Sequence, residues 1–142
     1  MAPTDRVIID RRMYGPEETI LKEGEKGYHF YIVESGMVEV FKIDTDGKPM
    51  VLGRVGPGGI FGEMAIIDDS PRMASVKAVQ GTTVKVFPRD YLDQRLTKAD
   101  PVVRAILKVF VGHIRFLSDL QLKQGFNIPQ PAVKVSNDSE PS

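Results

Sequence analysis

Residues 58–76 read GGIFGEMAIIDDSPRMASV, and the fold turns on how this stretch is read. Gly58, Gly59 and Gly62 let a backbone turn sharply or approach a ligand closely. A short helix is expected from Gly62–Glu63 through Met64, Ala65, Ile66 and Ile67. Its first N–H groups have no intrahelical acceptor and suit an anion. Asp68-Asp69-Ser70-Pro71 then reads as a turn, and Arg72 follows it. An acceptor-only carboxylate, Glu63, and a five-donor guanidinium, Arg72, thus bracket one small loop. The first can accept a hydrogen bond from a sugar hydroxyl; the second can fork onto a phosphate. A sugar beside a phosphate describes a nucleotide. The plainer alternative makes Arg72 a surface partner of Asp68 or Asp69, and Glu63 a first-turn carboxylate that favours the helix dipole.

Upstream, short apolar runs alternate with turn residues. Val7-Ile8-Ile9 is followed by Met13-Tyr14 and a Gly15-Pro16 turn. Thr19–Leu21, Tyr28–Val33, Met37–Ile43 and Pro49–Val55 read as strands, separated by Gly24, Gly36 and an Asp46-Gly47 hairpin. In Met37–Ile43 the alternation puts Val38, Val40 and Lys42 on one face. Downstream, Ser75–Val79 and Thr82–Pro88 are two more strands around Gln80-Gly81. This spacing predicts a β-barrel or jelly roll.

The period changes after Pro88. Asp90–Leu96 reads as a short helix. Asp100 as cap and Pro101 at the first helical position start a long one that runs to about Lys123. Val103, Leu107, Phe110, Ile114 and Leu117 form one apolar stripe; Val102, Ile106, Val109, Phe116 and Leu120 form another. One stripe suffices to pack the helix on the barrel, so two suggest a second surface for a lid or a partner helix. Gly125 ends the helix, and residues 125–142, with three prolines, read as a disordered tail or linker. Residues 1–6 are expected to be loose, leaving 7–124 as one domain.

Composition narrows the function. The 142 residues carry 19 Lys+Arg and 19 Asp+Glu, so no global charge draws nucleic acid or an anionic membrane. There is no cysteine, which excludes disulfides and thiolate-bound metals. No stretch reads as a signal or membrane segment, so a cytoplasmic protein is expected. Gly53–Gly58 has P-loop spacing but continues Gly59-Ile60 rather than Lys-Ser/Thr. His29 and His113 are the only histidines, too few for a metal-dependent jelly-roll enzyme. No catalytic residue, metal or cofactor is expected.

Phe61-Gly62-Glu63-Met64-Ala65 followed by Pro71-Arg72-Met73-Ala74-Ser75-Val76 resembles the phosphate-binding cassette of the cyclic nucleotide-binding domain family. Tyr14–Val40 resembles that family's first strands, and the likeness spans roughly residues 8–122. The resemblance implies a mainly β fold with flanking helices: a double-stranded β-helix (a jelly-roll-like β-roll), a short cassette helix and a long C-terminal helix. It implies that Arg72 holds the cyclic phosphate, that Glu63 accepts the ribose 2′-hydroxyl, and that Phe61, Gly62, Met64, Ala65, Met73 and Ala74 complete the cassette. Phe61 belongs in the core rather than against the ligand. Relatives that prefer cGMP often have Thr where Met73 stands, so cAMP is the expected ligand and cGMP the second. Gly59 departs from an acidic residue common in the family. The base needs a cap, for which Phe116, Leu117, Leu120 and Lys123 are candidates.

The expectation is a regulatory sensor that repositions its last helix, with a homodimer through that helix and an effector protein as further partners. No helix-turn-helix, kinase or channel pattern follows, so the chain is either a stand-alone module or a fragment. An interaction module with a filled pocket is the alternative, and a jelly-roll enzyme the weakest reading.

Overall fold

The computed structural model describes residues 9–124; residues 1–8 and 125–142, with the expected loose start and tail, lie outside the described residues. Eight strands are present among the described residues: β1 Asp10–Tyr14, β2 Thr19–Leu21, β3 His29–Ser35, β4 Val38–Ile43, β5 Pro49–Val55, β6 Ile60–Phe61, β7 Ser75–Ala78 and β8 Thr82–Pro88. Helix α1 (Met64–Ile67) interrupts them, and α2 (Arg89–Lys98) and α3 (Pro101–Gln124) follow. The strands make two four-stranded sheets, ordered β1-β8-β3-β6 and β2-β7-β4-β5. The pairings are antiparallel. This is the jelly-roll-like arrangement that the strand spacing predicts, with the flanking helices that the resemblance implies.

Two apolar layers hold it. Leu21, Tyr31, Val33, Val38, Phe61, Val76, Val84 and Val86 fill the space between the sheets. Phe30, Ile32, Ile66 and Phe87 form a second layer on the outer face of the first sheet, covered by Tyr91 and Leu92 of α2. Phe30 to Val33 are therefore all buried, and β3 loses the alternation of a half-exposed strand. Ile66 draws α1 onto that layer, while Phe61, just before α1, stacks on Tyr31 at 4.8 Å between the sheets. The cassette is thus pinned on both faces of one sheet.

The first strand among the described residues rests on pairing rather than on apolar content. β1 is Asp10–Tyr14, a mostly polar segment, fixed by its register on β8, Asp10↔Val86 to Tyr14↔Thr82. The apolar periodicity of α3 misleads. Neither stripe packs the helix on the roll: Val103, Phe110, Val109 and Phe116 are 50%, 58%, 52% and 66% exposed. The buried side chains are Val111, Ser118 and Gln121. The helix is seated through a narrow, partly polar seam, with its apolar sides outward. Its start follows expectation: Val102 N–H donates to Asp100 Oδ1 at 2.8 Å.

Gly36 turns β3 into β4 at φ +96°. A Cβ there would lie 2.5 Å from both the Gly81 carbonyl and the Thr82 hydroxyl. Gly36→Ala combines a left-handed backbone with a clash against the β7–β8 turn. It should destabilise the domain by about 2 kcal/mol or more, read as a midpoint lowered by several degrees in thermal unfolding.

Candidate functional site

Gly62 has φ +85° and turns the chain sharply out of β6. Glu63 caps α1 with its backbone and makes no side-chain cap bond. Gly62, Glu63 and Met64 are half-buried; Ala65 is buried. The chain leaves α1 through Asp68 and Asp69, the latter at φ +50°. It returns at Arg72, Met73 and Ala74, of which Arg72 and Ala74 are buried and Met73 is half-buried.

Arg72 is 7% exposed. Its guanidinium donates to the Gly62 carbonyl at 2.5 Å and to the His29 carbonyl at 2.7 Å. Its backbone is zipped to the β2–β3 loop: Arg72 N–H donates to Glu25 O at 2.8 Å, and Gly24 N–H to Arg72 O at 2.9 Å. No carboxylate makes an ion pair with it among the described residues. The two aspartates that could have neutralised it are engaged elsewhere. Asp68 accepts two bonds from Arg115 of α3, the Nη2–Oδ1 one at 3.0 Å. Asp69 accepts from Arg89 of α2 at 2.8 Å. The plainer reading of Arg72 as an aspartate's surface partner therefore fails. Burial lowers its affinity for the proton, and Tyr31, Glu63 and Glu25 oppose that. The result is a buried, forked cation that no carboxylate ion-pairs among the described residues, a costly arrangement that an anion would relieve.

Glu63 stands across the turn from it. Burial raises its carboxyl above the ordinary carboxylate value, opposed by its own backbone N–H and by Arg72. A desolvated carboxylate without a side-chain cap bond is ready to accept a hydroxyl. The N–H groups of Met64 and Ala65 open α1 and precede its first i→i−4 bond. Carboxylate, guanidinium and free N–H groups thus converge on one small loop, as a sugar phosphate requires. A cavity of about 290 Å³, lined by Arg72 itself, opens between β2 and the start of β3, beside Leu21, Lys22, His29 and Tyr31.

Of the other residues singled out from sequence, Phe61 is 4% exposed and belongs to the core. Ser75 uses its Oγ to accept from Glu23 N–H at 3.0 Å. Phe116 and Leu117 are 66% and 40% exposed, turned away from the seam of α3, and Leu120 is half-buried. Lys123 sits in the last turn of α3, with its side chain outside the described residues.

Three residues escape sequence reading. A Cβ on Gly27 would lie 3.0 Å from both Ala65 Cβ and Arg72 Cζ, so its smallness lets the β2–β3 loop close on the guanidinium. Arg89 donates to Gly27 O at 3.2 Å as well as to Asp69 and Asp93. Arg115 ties the cassette to α3. Only the Gly24-x-x-Gly27 spacing carried a signal; an arginine on a helix announces no partner.

Comparison with known proteins agrees with this geometry. Residues 11–99 match the family model of the cyclic nucleotide-binding domain. The cyclic AMP receptor protein of Thermus thermophilus is 34% identical over 115 residues, covering 80% of this chain and 52% of that protein. A cAMP-dependent protein kinase regulatory subunit of Aspergillus fumigatus is 38% identical over 96 residues, covering 68% and 22%. The chain thus spans about half the first relative and a fifth of the second. Among solved structures, the cAMP- and cyclic-di-GMP-bound form of the EAL enzyme Bd1971 aligns with TM-score 0.74 at 30% identity, over 81% of this chain and 30% of that one. A glycine turn, a carbonyl-held arginine and a facing carboxylate, on a roll that the family model matches through 89 residues from 11 to 99, place this chain in the cyclic nucleotide-binding domain family.

Proposed function

We propose that this chain binds cAMP, with cGMP as a weaker ligand, as a cytoplasmic sensor or regulatory module that carries no catalysis of its own. The observation that carries the reading is Arg72: a buried guanidinium held by two carbonyls and paired with no carboxylate among the described residues. The cyclic phosphate supplies the missing negative charge in a forked, charge-assisted contact. Glu63 accepts the ribose 2′-hydroxyl. Relatives named for cyclic AMP and cAMP-dependent kinase support the choice of ligand, as does Met73, which offers no hydroxyl to guanine.

The response runs through α3. Arg115 fastens α3 to Asp68 at the end of α1, so phosphate that draws the cassette inward moves the helix with it. A ligand that binds one position of α3 better than another shifts its population. The outward face of α3 fits a second copy of this chain. Val102, Val109 and Phe116 recur every seven residues, as do Val103, Phe110 and Leu117, the spacing of a helix-to-helix seam. Homodimer formation through this face gives the sensor its output surface.

Thermal unfolding with cAMP, cGMP and 5′-AMP tests the reading. At 100 times its dissociation constant a ligand stabilises by about 2.7 kcal/mol, several degrees here. The expected order is cAMP, then cGMP, with no shift from 5′-AMP. No shift from any of them, in protein whose acid extract holds no nucleotide, supports the interaction-module reading instead. Arg72→Lys keeps the charge but loses the fork; titration calorimetry should register at least a tenfold loss of cAMP affinity, on the order of 1.4 kcal/mol.

Glu63→Gln separates binding from stability. The raised carboxyl means that the folded chain binds this proton more tightly than the unfolded chain. Ligand-free stability is therefore highest below the ordinary Glu value and falls as pH rises from there through the raised one. The variant should lose this pH dependence and be at least as stable as the parent at neutral pH in urea titrations. Its cAMP affinity should fall roughly fivefold, about 1 kcal/mol. Phe110→Asp, at an exposed position, should leave the fold intact and convert a dimer to a monomer in sedimentation equilibrium.

A further inference from the structure

Two cations are buried among the described residues, Lys42 of β4 and Arg72. Lys42 has its counter-charge: its Nζ donates to Asp119 Oδ1 of α3 at 3.1 Å. Arg72 has no ion pair among the described residues, and it has donors to spare. A guanidinium carries five N–H groups, and the bonds to the Gly62 and His29 carbonyls use one on each terminal nitrogen. The side chain also forms part of the wall of the cavity between β2 and the start of β3. No residue of the Gly62 turn or of α1 lines that cavity. Arg72 therefore borders two separate spaces: the cassette, read above as the cyclic-phosphate site, and a cavity walled by β2, the β2–β3 loop and β3.

The chemistry of this second space suits an anion. Lys22, Lys26 and Arg72 line it with a single carboxylate, Glu25, so the wall carries a surplus of two positive charges while His29 is neutral. Neither lysine makes an ion pair among the described residues. Lys26 lies instead over the Tyr28 ring, 5.7 Å from its centroid. A concave wall of one sign concentrates its field on the space it encloses. His29 shares the inward face of β3 with Tyr31 and Val33. Burial, then Arg12 of β1, then Arg72 hold its imidazole below the ordinary value. Arg12 itself is paired with Asp10.

We infer that this cavity is a second anion site, that it takes the inorganic phosphate dianion on Lys22, Lys26 and the spare N–H groups of Arg72, and that the bound ion weakens cyclic-nucleotide binding on the cassette side of the same guanidinium. The site stands on the cavity and its charge; the coupling rests on the cyclic-nucleotide reading above. A dianion matches the surplus of two charges. The cavity of about 290 Å³ holds a tetrahedral oxyanion together with several of its waters, each about 30 Å³ in the liquid. Lysine and arginine donate to such an ion through short, charge-assisted bonds. With the ion in place Arg72 is no longer an uncompensated buried cation, so a cyclic phosphate gains less by meeting it. By linkage the nucleotide lowers the affinity for phosphate by the same factor.

The sequence has two histidines, His29 in the cavity wall and His113 on α3, so their imidazole proton NMR signals read the site directly. Nucleotide-free chain is titrated with sodium phosphate, with sodium chloride at matched ionic strength as control. The His29 signal should shift and saturate with phosphate alone, and its titration midpoint should rise, because a nearby anion favours the imidazolium; His113 should not move. Calorimetry should then show cAMP affinity about fivefold lower in saturating phosphate than in matched chloride. The double variant Lys22→Gln, Lys26→Gln, at two exposed positions, should lose both the saturable shift and the response of cAMP affinity to phosphate. A linear drift of both histidines, or a His29 shift that chloride reproduces, overturns the site. Phosphate that still weakens cAMP in the double variant acts at the cassette itself and also overturns it. Glycerol 3-phosphate saturating the His29 shift at lower concentration than phosphate overturns the assignment to the free ion. A saturable shift with cAMP affinity indifferent to phosphate overturns the coupling alone. A chain that binds no cyclic nucleotide overturns the reading of the cassette and the coupling, while the histidine signals still decide the site.

Discussion

The site depends on keeping one guanidinium out of water without a counter-charge. Burying an unpaired cation costs several kcal/mol even after relaxation, and the surrounding structure is arranged to hold it there. The start of β3 supplies the His29 carbonyl and the glycine turn supplies that of Gly62. The β2–β3 loop zips to the Arg72 backbone from the other side. Gly27 and Gly62 must lack side chains because a Cβ on either would crowd the guanidinium, at 3.0 Å from Cζ and 2.9 Å from Nη1 respectively. Asp68 and Asp69 sit close in sequence yet are drawn away by Arg115 and Arg89. Each of these contacts keeps Arg72 charged, oriented and unneutralised.

The helices divide the remaining work unequally. α2 is bound to the roll by aromatic packing, with Tyr91 edge-on to Phe87 at 5.1 Å. α3 inverts the usual amphipathic arrangement. Its seam on the roll is partly polar, and most of its apolar side chains face outward. Partly exposed ion pairs contribute at most about 1 kcal/mol each, so α3 is held far less firmly than the strands. A weakly seated helix with an apolar outer face can change position when the cassette moves, and can bury that face on another helix.

How much of this was legible in sequence follows from range. The cassette was legible because its glycine turn, α1, acidic turn and arginine are consecutive, and local sterics fix their order. The strands were legible where one face alone is buried. β1 was not, because pairing with β8 rather than apolar content makes it a strand. The orientation of α3 was not legible either. Periodicity reports an apolar face but not which neighbour covers it, so Phe116 and Leu117, plausible caps by spacing, lie on the exposed side. Lys42 could be placed inward by alternation alone; its pairing with Asp119 spans 77 residues and needed the fold.

The two fastenings of α3 have a mechanical consequence. Arg115 and Asp119 are one turn apart, about 6 Å along the axis, while Pro101 lies about 21 Å further toward the N-terminus. With the β4 fastening as pivot, a rigid rod is a lever whose far end lies about 27 Å away against about 6 Å for the cassette fastening, an arm ratio near 4.5 by the same rise per residue. A shift of about 1 Å of the cassette fastening relative to the β4 fastening sweeps the far end of the helix by several times that distance. Sub-ångström tightening around a phosphate thus becomes a displacement large enough to misalign a row of side chains spaced by two helical turns.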